Sequence, residues 1–137
     1  MMKPRLAALM LYIAAAIALT ACGSAGGGGS SNPSSSAAGT GNPAVHMENT
    51  SFIQPSTTIQ NGQSLTLVAD TFAPHVIANG TWENRVAKPA REQGAPQVTN
   101  LEIPGHGSGT IGPFTTPGSF QFYCTIHPNM NLTVVVE

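Results

Sequence analysis

Beyond Val45 this chain has no room for a helix of ordinary length. Proline and glycine interrupt it too often, and apolar residues never recur at the helical period. What recurs instead are short runs of Val, Ile, Thr and Phe bounded by turn residues, the pattern of β-strands. Thr57 to Gln60 and Ser64 to Ala69 flank an Asn61-Gly62 turn signal, and Pro74 to Ala78 leads into a second one, Asn79-Gly80. Val98 to Ile103, Gly109 to Phe114, Ser119 to Tyr123 running into Cys124, and Asn131 to Glu137 complete the set. Seven to eight such strands predict an all-β Greek-key sandwich over residues 44–137. Trp82 to Gln97, rich in Ala and Pro, is the expected irregular insertion.

The N-terminal third is of a different kind. Lys3 and Arg5 precede an apolar stretch from Leu6 to Leu19, too short to span a bilayer comfortably but suited to an export signal. Leu19-Thr20-Ala21-Cys22 follows and resembles the bacterial lipobox, which makes 1–21 a lipoprotein signal peptide and Cys22 the lipidated mature N-terminus. Residues 22–43, dominated by Gly, Ser, Ala and Asn, cannot bury a core and read as a flexible tether with a typical reach of about 25 Å. The expectation is an extracytoplasmic domain anchored by lipid to a bacterial membrane, with more than one acyl chain for stable attachment. Once the signal is removed, Arg85, Lys88 and Arg91 face six acidic residues. Such a net acidic chain carries no nucleic-acid footprint.

Only two cysteines are present, Cys22 and Cys124. With Cys22 assigned to the lipobox, Cys124 is an unpaired thiol in an oxidising compartment, and metal ligation accounts for it. It opens the run Cys124-Thr125-Ile126-His127-Pro128-Asn129-Met130, which places a thiolate, an imidazole and a thioether in one loop between two strands. Soft sulfur with imidazole suits copper, and a second imidazole, His75, would complete a trigonal site with Met130 as a weak axial donor. Strand parity agrees. Phe120, Phe122 and Cys124 share a face, as do Met130, Leu132, Val134 and Val136, and His75 shares one with Ile77. Pro128 stiffens the loop by fixing its own φ and restricting His127.

Pro74-His75 upstream and Phe122-Tyr123-Cys124-Thr125-Ile126-His127-Pro128-Asn129-Met130 downstream resemble the cupredoxins, small blue-copper proteins, and most of all the amicyanin branch with its short ligand loop. The resemblance covers Val45 to Glu137. It implies one type 1 copper ion held by His75, Cys124, His127 and Met130, and a monomeric electron carrier working between a redox donor and an acceptor. It further implies that electrons pass through the edge of His127, with Pro74 and Pro104 lining that end. In one respect the chain departs from the pattern: Val76 stands where many cupredoxins have an Asn that pins the cysteine loop, so what orients the loop is open.

Three other readings use the same residues. Copper storage or delivery would employ the same ligands. A zinc site needs only two His and one Cys, although methionine is a poor zinc ligand and no general base lies beside the loop. A metal-free scaffolding lipoprotein is the third. An enzyme is not expected, since no Ser/His/Asp or paired-carboxylate arrangement is visible. His46 and His106 read as loop residues, and Trp82 as packing.

Overall fold

A computed structural model describes residues 41–137 of the chain. The signal peptide, Cys22 and nearly all of the tether lie outside the described residues. Nine strands follow in order: β1 (Ala44–Met47), β2 (Ser56–Ile59), β3 (Leu65–Ala69), β4 (His75–Glu83), β5 (Val86–Pro89), β6 (Leu101–Ile103), β7 (Ser108–Ile111), β8 (Gly118–Cys124) and β9 (Asn131–Val136). Among the described residues there is no helix, so the all-β expectation stands.

The strands form two sheets, a small one in the order β1-β3-β7 and a larger one in the order β2-β9-β8-β4-β5, with β6 also on β4. The inner faces obey the two-residue period. Leu65, Leu67 and Ala69 on β3 are buried against Phe120, Phe122 and Cys124 on β8 and Leu132, Val134 and Val136 on β9. Phe114 sits fully buried between Phe120 and Phe122, with ring centroids at 6.0 and 5.9 Å. The parity read from the sequence therefore holds at every core position it named.

Asn61-Gly62 makes the expected turn, with Gly62 at a φ of 90°. It joins strands of different sheets, since β2 pairs with β9 and β3 with β1 and β7. Its amides are anchored on both sides: Asn61 N–H donates to the Glu137 carbonyl and Gly62 N–H to that of Phe114.

Asn79-Gly80 does not turn. Both residues lie inside β4, which runs on to Glu83. The Asn79 side chain bonds not to its own backbone but across to the next loop, accepting from Val98 N at 2.6 Å and donating to Pro96 O at 3.0 Å. Gly80, at a φ of 127°, is needed for close approach, because a Cβ there would lie 2.4 Å from the Lys88 carbonyl oxygen on β5. The turn comes instead at Asn84-Arg85, both with positive φ (49° and 64°), the paired left-handed conformation of a tight hairpin. Part of the expected insertion, Trp82 to Gln97, is thus a β4–β5 hairpin, and only Ala90 to Asn100 is irregular. This hairpin and the short β1 raise the strand count above the expected seven to eight. β6 is shorter than the expected Val98 to Ile103 because Val98 is tied to Asn79.

Candidate metal centre

Three strands bring the donors to one end of the sandwich. In the antiparallel β4–β8 ladder Ile77 faces Cys124, so His75, two residues earlier at the start of β4, lies beside the loop that leaves β8. The β8–β9 hairpin closes that loop: Cys124 N–H donates to the Met130 carbonyl at 3.0 Å, and Met130 N–H to the His127 carbonyl at 3.2 Å. Asn129 takes the left-handed conformation that the return requires, which Asn tolerates better than most residues.

Nitrogen atoms of His75 and His127 and the sulfur of Cys124 all lie within 4.8 Å of one another. The His127 Nδ1 is 3.4 Å from the Cys124 Sγ, and the two imidazole centroids are 5.0 Å apart. His75 and Cys124 are fully buried and His127 half-buried. Met130 is buried on the same inner face, at the foot of the loop. Among the described residues this is the one cluster of three His, Cys or acidic donors. His46 lies elsewhere, 2.8 Å from Asp70 Oδ1 through its Nδ1, and His106 packs edge-on against Phe72 in a left-handed turn.

The strongest mark of a ligand site is an absence of partners. Both ring nitrogens of His75 are buried and neither has a hydrogen bond of normal geometry; the Glu48 backbone lies near enough to favour a ring proton on one of them, which leaves at least one nitrogen with no partner. A buried imidazole left in this condition is costly unless something else takes its lone pair. A cation between His75, His127 and Cys124 would do so, and one thiolate with two imidazoles is a donor set that suits copper.

Burial first, and then repulsion by His127, hold the His75 pKa below its ordinary 6.5, while the Glu48 backbone pulls the other way. The ring therefore stays neutral in the fold, the state in which it can be a ligand. A pH dependence follows for the metal-free protein. Below pH 6.5 the unfolded chain binds more protons at this position than the folded one. The contribution of His75 to stability is thus complete above 6.5 and is lost as pH falls toward the lowered folded value, at up to about 1.4 kcal/mol per pH unit. Denaturant midpoints measured from about pH 7 to about pH 5 should fall more steeply for wild type than for His75→Gln. Equal slopes would remove His75 as the cause.

The departure at Val76 is resolved by groups the sequence did not point to. The Val76 carbonyl accepts from Thr125 N–H at 2.8 Å, and the Trp82 indole Nε1–H donates to the Cys124 carbonyl at 2.8 Å. Asn131 accepts from Trp82 N at 2.7 Å and donates to Trp82 O at 3.0 Å, while Asn129 Oδ1 accepts from Arg85 N at 3.1 Å. No local signal marks Trp82 and Asn131 as partners, since they stand 49 residues apart.

No protein-family model matches the chain, and no curated protein matches it significantly. Solved structures do. The chain is similar to amicyanin from Paracoccus versutus (Thiobacillus versutus), at 24% identity and a TM-score of 0.56, over 72% of this chain and 84% of that one. It is also similar to the reduced Cu(I) form, at pH 4, of a proline-to-glycine mutant of amicyanin, at 19% identity and a TM-score of 0.55, over 72% and 85% of the two chains. A third similar structure is a reduced proline-to-phenylalanine mutant of amicyanin, at 21% identity and a TM-score of 0.54, over 71% and 83%. The described domain has the cupredoxin fold, and the donors gathered at its loop end are suited to one copper ion.

Proposed function

We propose that the protein is a type 1 copper protein that carries single electrons between redox partners outside the cytoplasm, tethered to a membrane through Cys22. The observation that supports this most is the fully buried His75, at least one of whose ring nitrogens has no partner, beside a buried Cys124 and a half-buried His127. His75, Cys124 and His127 would hold the metal, with Met130 as the fourth, weaker donor. Bound copper would supply a one-electron Cu(I)/Cu(II) couple.

The chain's own residues do the rest. Strands fix His75 and Cys124 from opposite sides of one ladder, so the donors have little freedom to rearrange between oxidation states. The sandwich excludes water from the sulfur. His127 alone of the three reaches the surface, which makes its ring edge the port for electrons. Around that end lie Ile126, 48% exposed, and a hollow of about 450 Å³ lined by Pro74, His75, Val76, Glu102, Ile103, Pro104 and Ile126. Phe72, 88% exposed, has its backbone against Gly105, next to Pro104, and its ring edge-on to His106. Glu102 apart, this rim is apolar, and such a surface lets a partner approach closely and dehydrate the gap. Copper storage or delivery would need donors that release the metal readily, and a cage built on paired strands offers no such freedom.

A redox titration of the copper-loaded domain, followed by visible and electron-spin spectroscopy, tests the reading. A reversible one-electron couple with an intense thiolate band is expected; a colourless protein, or one that gives up copper to a chelator faster than it exchanges electrons, would refute it. Met130→Leu should keep the band and raise the potential, because losing a donor disfavours the more highly charged Cu(II). An unchanged potential would exclude Met130 from the donor set.

A further inference from the structure

We infer that the β4–β5 hairpin is a splint for the ligand loop and that Trp82 is a positioning residue for the Cys124 sulfur, acting through the Cys124 carbonyl. One side chain each from the loop, from β9 and from β8 meets the hairpin, as does the Cys124 carbonyl. The Trp82 indole N–H holds the Cys124 carbonyl at 2.8 Å. The Asn131 side-chain amide then holds Trp82 by both its backbone N–H and its carbonyl, at 2.7 and 3.0 Å. Asn129, at the left-handed corner of the loop, takes the N–H of Arg85 at the hairpin tip. Tyr123, immediately before the thiol, is buried beneath the same indole, ring edge to ring face at 5.8 Å and 89°.

This assembly has a geometric purpose. The Cys124 Cα lies between two held peptide groups, its N–H on the Met130 carbonyl and its C=O on the Trp82 indole, so the two bonds together restrain φ and ψ and with them the Cα–Cβ direction from which the sulfur projects. The last ladder pair of β4 and β8 is Ile77 with Cys124, and beyond it only the Thr125 N–H to Val76 carbonyl bond continues the sheet. The carbonyl of Cys124 points the other way, and without Trp82 it would have no protein partner among these contacts. Side chains at residues 82, 129 and 131 thereby do the orienting that the residue after His75, a valine, has no polar group to do. Gly80 is part of the device, since only a residue without Cβ lets β5 fold close enough to β4 for the hairpin to form.

The purpose of the splint rests on the copper reading, but its existence can be tested in the metal-free protein. In Trp82→Phe the ring remains and the donor goes. Amide hydrogen exchange at Thr125 and Met130 should accelerate at least about tenfold relative to the core amide of Leu67. Exchange that is unchanged, or that accelerates equally at Leu67, would reduce Trp82 to a packing residue and overturn the inference. If Trp82→Phe does not fold, Asn131→Ala carries the same test, because it frees the Trp82 backbone and leaves the indole intact. With copper added, Trp82→Phe should bind about 10–100-fold more weakly than wild type and show a shifted thiolate band, as expected when a group that orients a ligand is lost. Wild-type affinity and band position in that variant would likewise overturn it. A wild-type protein that binds no copper would sink the carrier reading, and the exchange measurement would still decide the splint.

Discussion

Cys124→Ser will bind copper without colour. The side chain at this position is fully buried and its sulfur lies 3.4 Å from the His127 Nδ1, so any metal held there shares its electrons chiefly with that sulfur. A thiolate is soft, polarizable and readily deprotonated by a bound cation, and its charge transfer to Cu(II) would give the intense visible band. Serine keeps the size of the side chain but replaces sulfur by a hard oxygen whose proton is lost far less easily. The hydroxyl has the nearby imidazole as a hydrogen-bond acceptor, so the cost to folding should be modest, about 1 kcal/mol. The expected result is therefore selective: a folded domain with a near-normal denaturation midpoint, complete loss of the band, and weakened copper binding. A retained band would mean that Cys124 is not the ligand, and the electron-carrier proposal would go with it.

The reason this prediction could be framed from the sequence lies in how local the information is. Cys124, His127 and Met130 occupy one seven-residue loop, and their spacing is visible without any fold. His75 is remote, yet its place on a core-facing register was legible, because the two-residue period of a strand carries direction along with burial. The same period identified the inner faces of β8 and β9. What could not be read was anything that depends on a partner strand. Asn79-Gly80 looks like a turn because Asn and Gly favour turns, but Asn79 is occupied by the backbone of Pro96 and Val98, and Gly80 by the carbonyl of Lys88. Both partners are tertiary, and they override the local preference. Trp82 illustrates the same limit at the site. A lone tryptophan in an Ala- and Pro-rich stretch gives no hint that its indole will reach the carbonyl of a cysteine 42 residues away.

Phe122→Ala and Phe72→Ala should separate stability from docking by the same chemical deletion at two places. Phe122 is fully buried, paired edge-to-face with Phe114 at 5.9 Å, and two residues before Cys124 on the same inner face of β8. Removing its ring leaves a hole that paired strands on both sides cannot close, so the cost should be about 3–5 kcal/mol. Against the usual domain stability of about 5–15 kcal/mol, that is a large fraction of the whole. The denaturant midpoint should fall sharply with little change in slope. Copper affinity should fall too, because β8 carries Cys124 over the gap. Phe72, by contrast, is 88% exposed, and its loss should change stability by no more than about 0.5 kcal/mol. Its effect belongs to the rim beside Pro104, where electron transfer to a protein partner should slow while transfer to a small inorganic oxidant stays the same. A Phe122→Ala domain within about 1 kcal/mol of wild type would show that β8 does not pack as described, and with it the seat of the Cys124 sulfur would be in doubt.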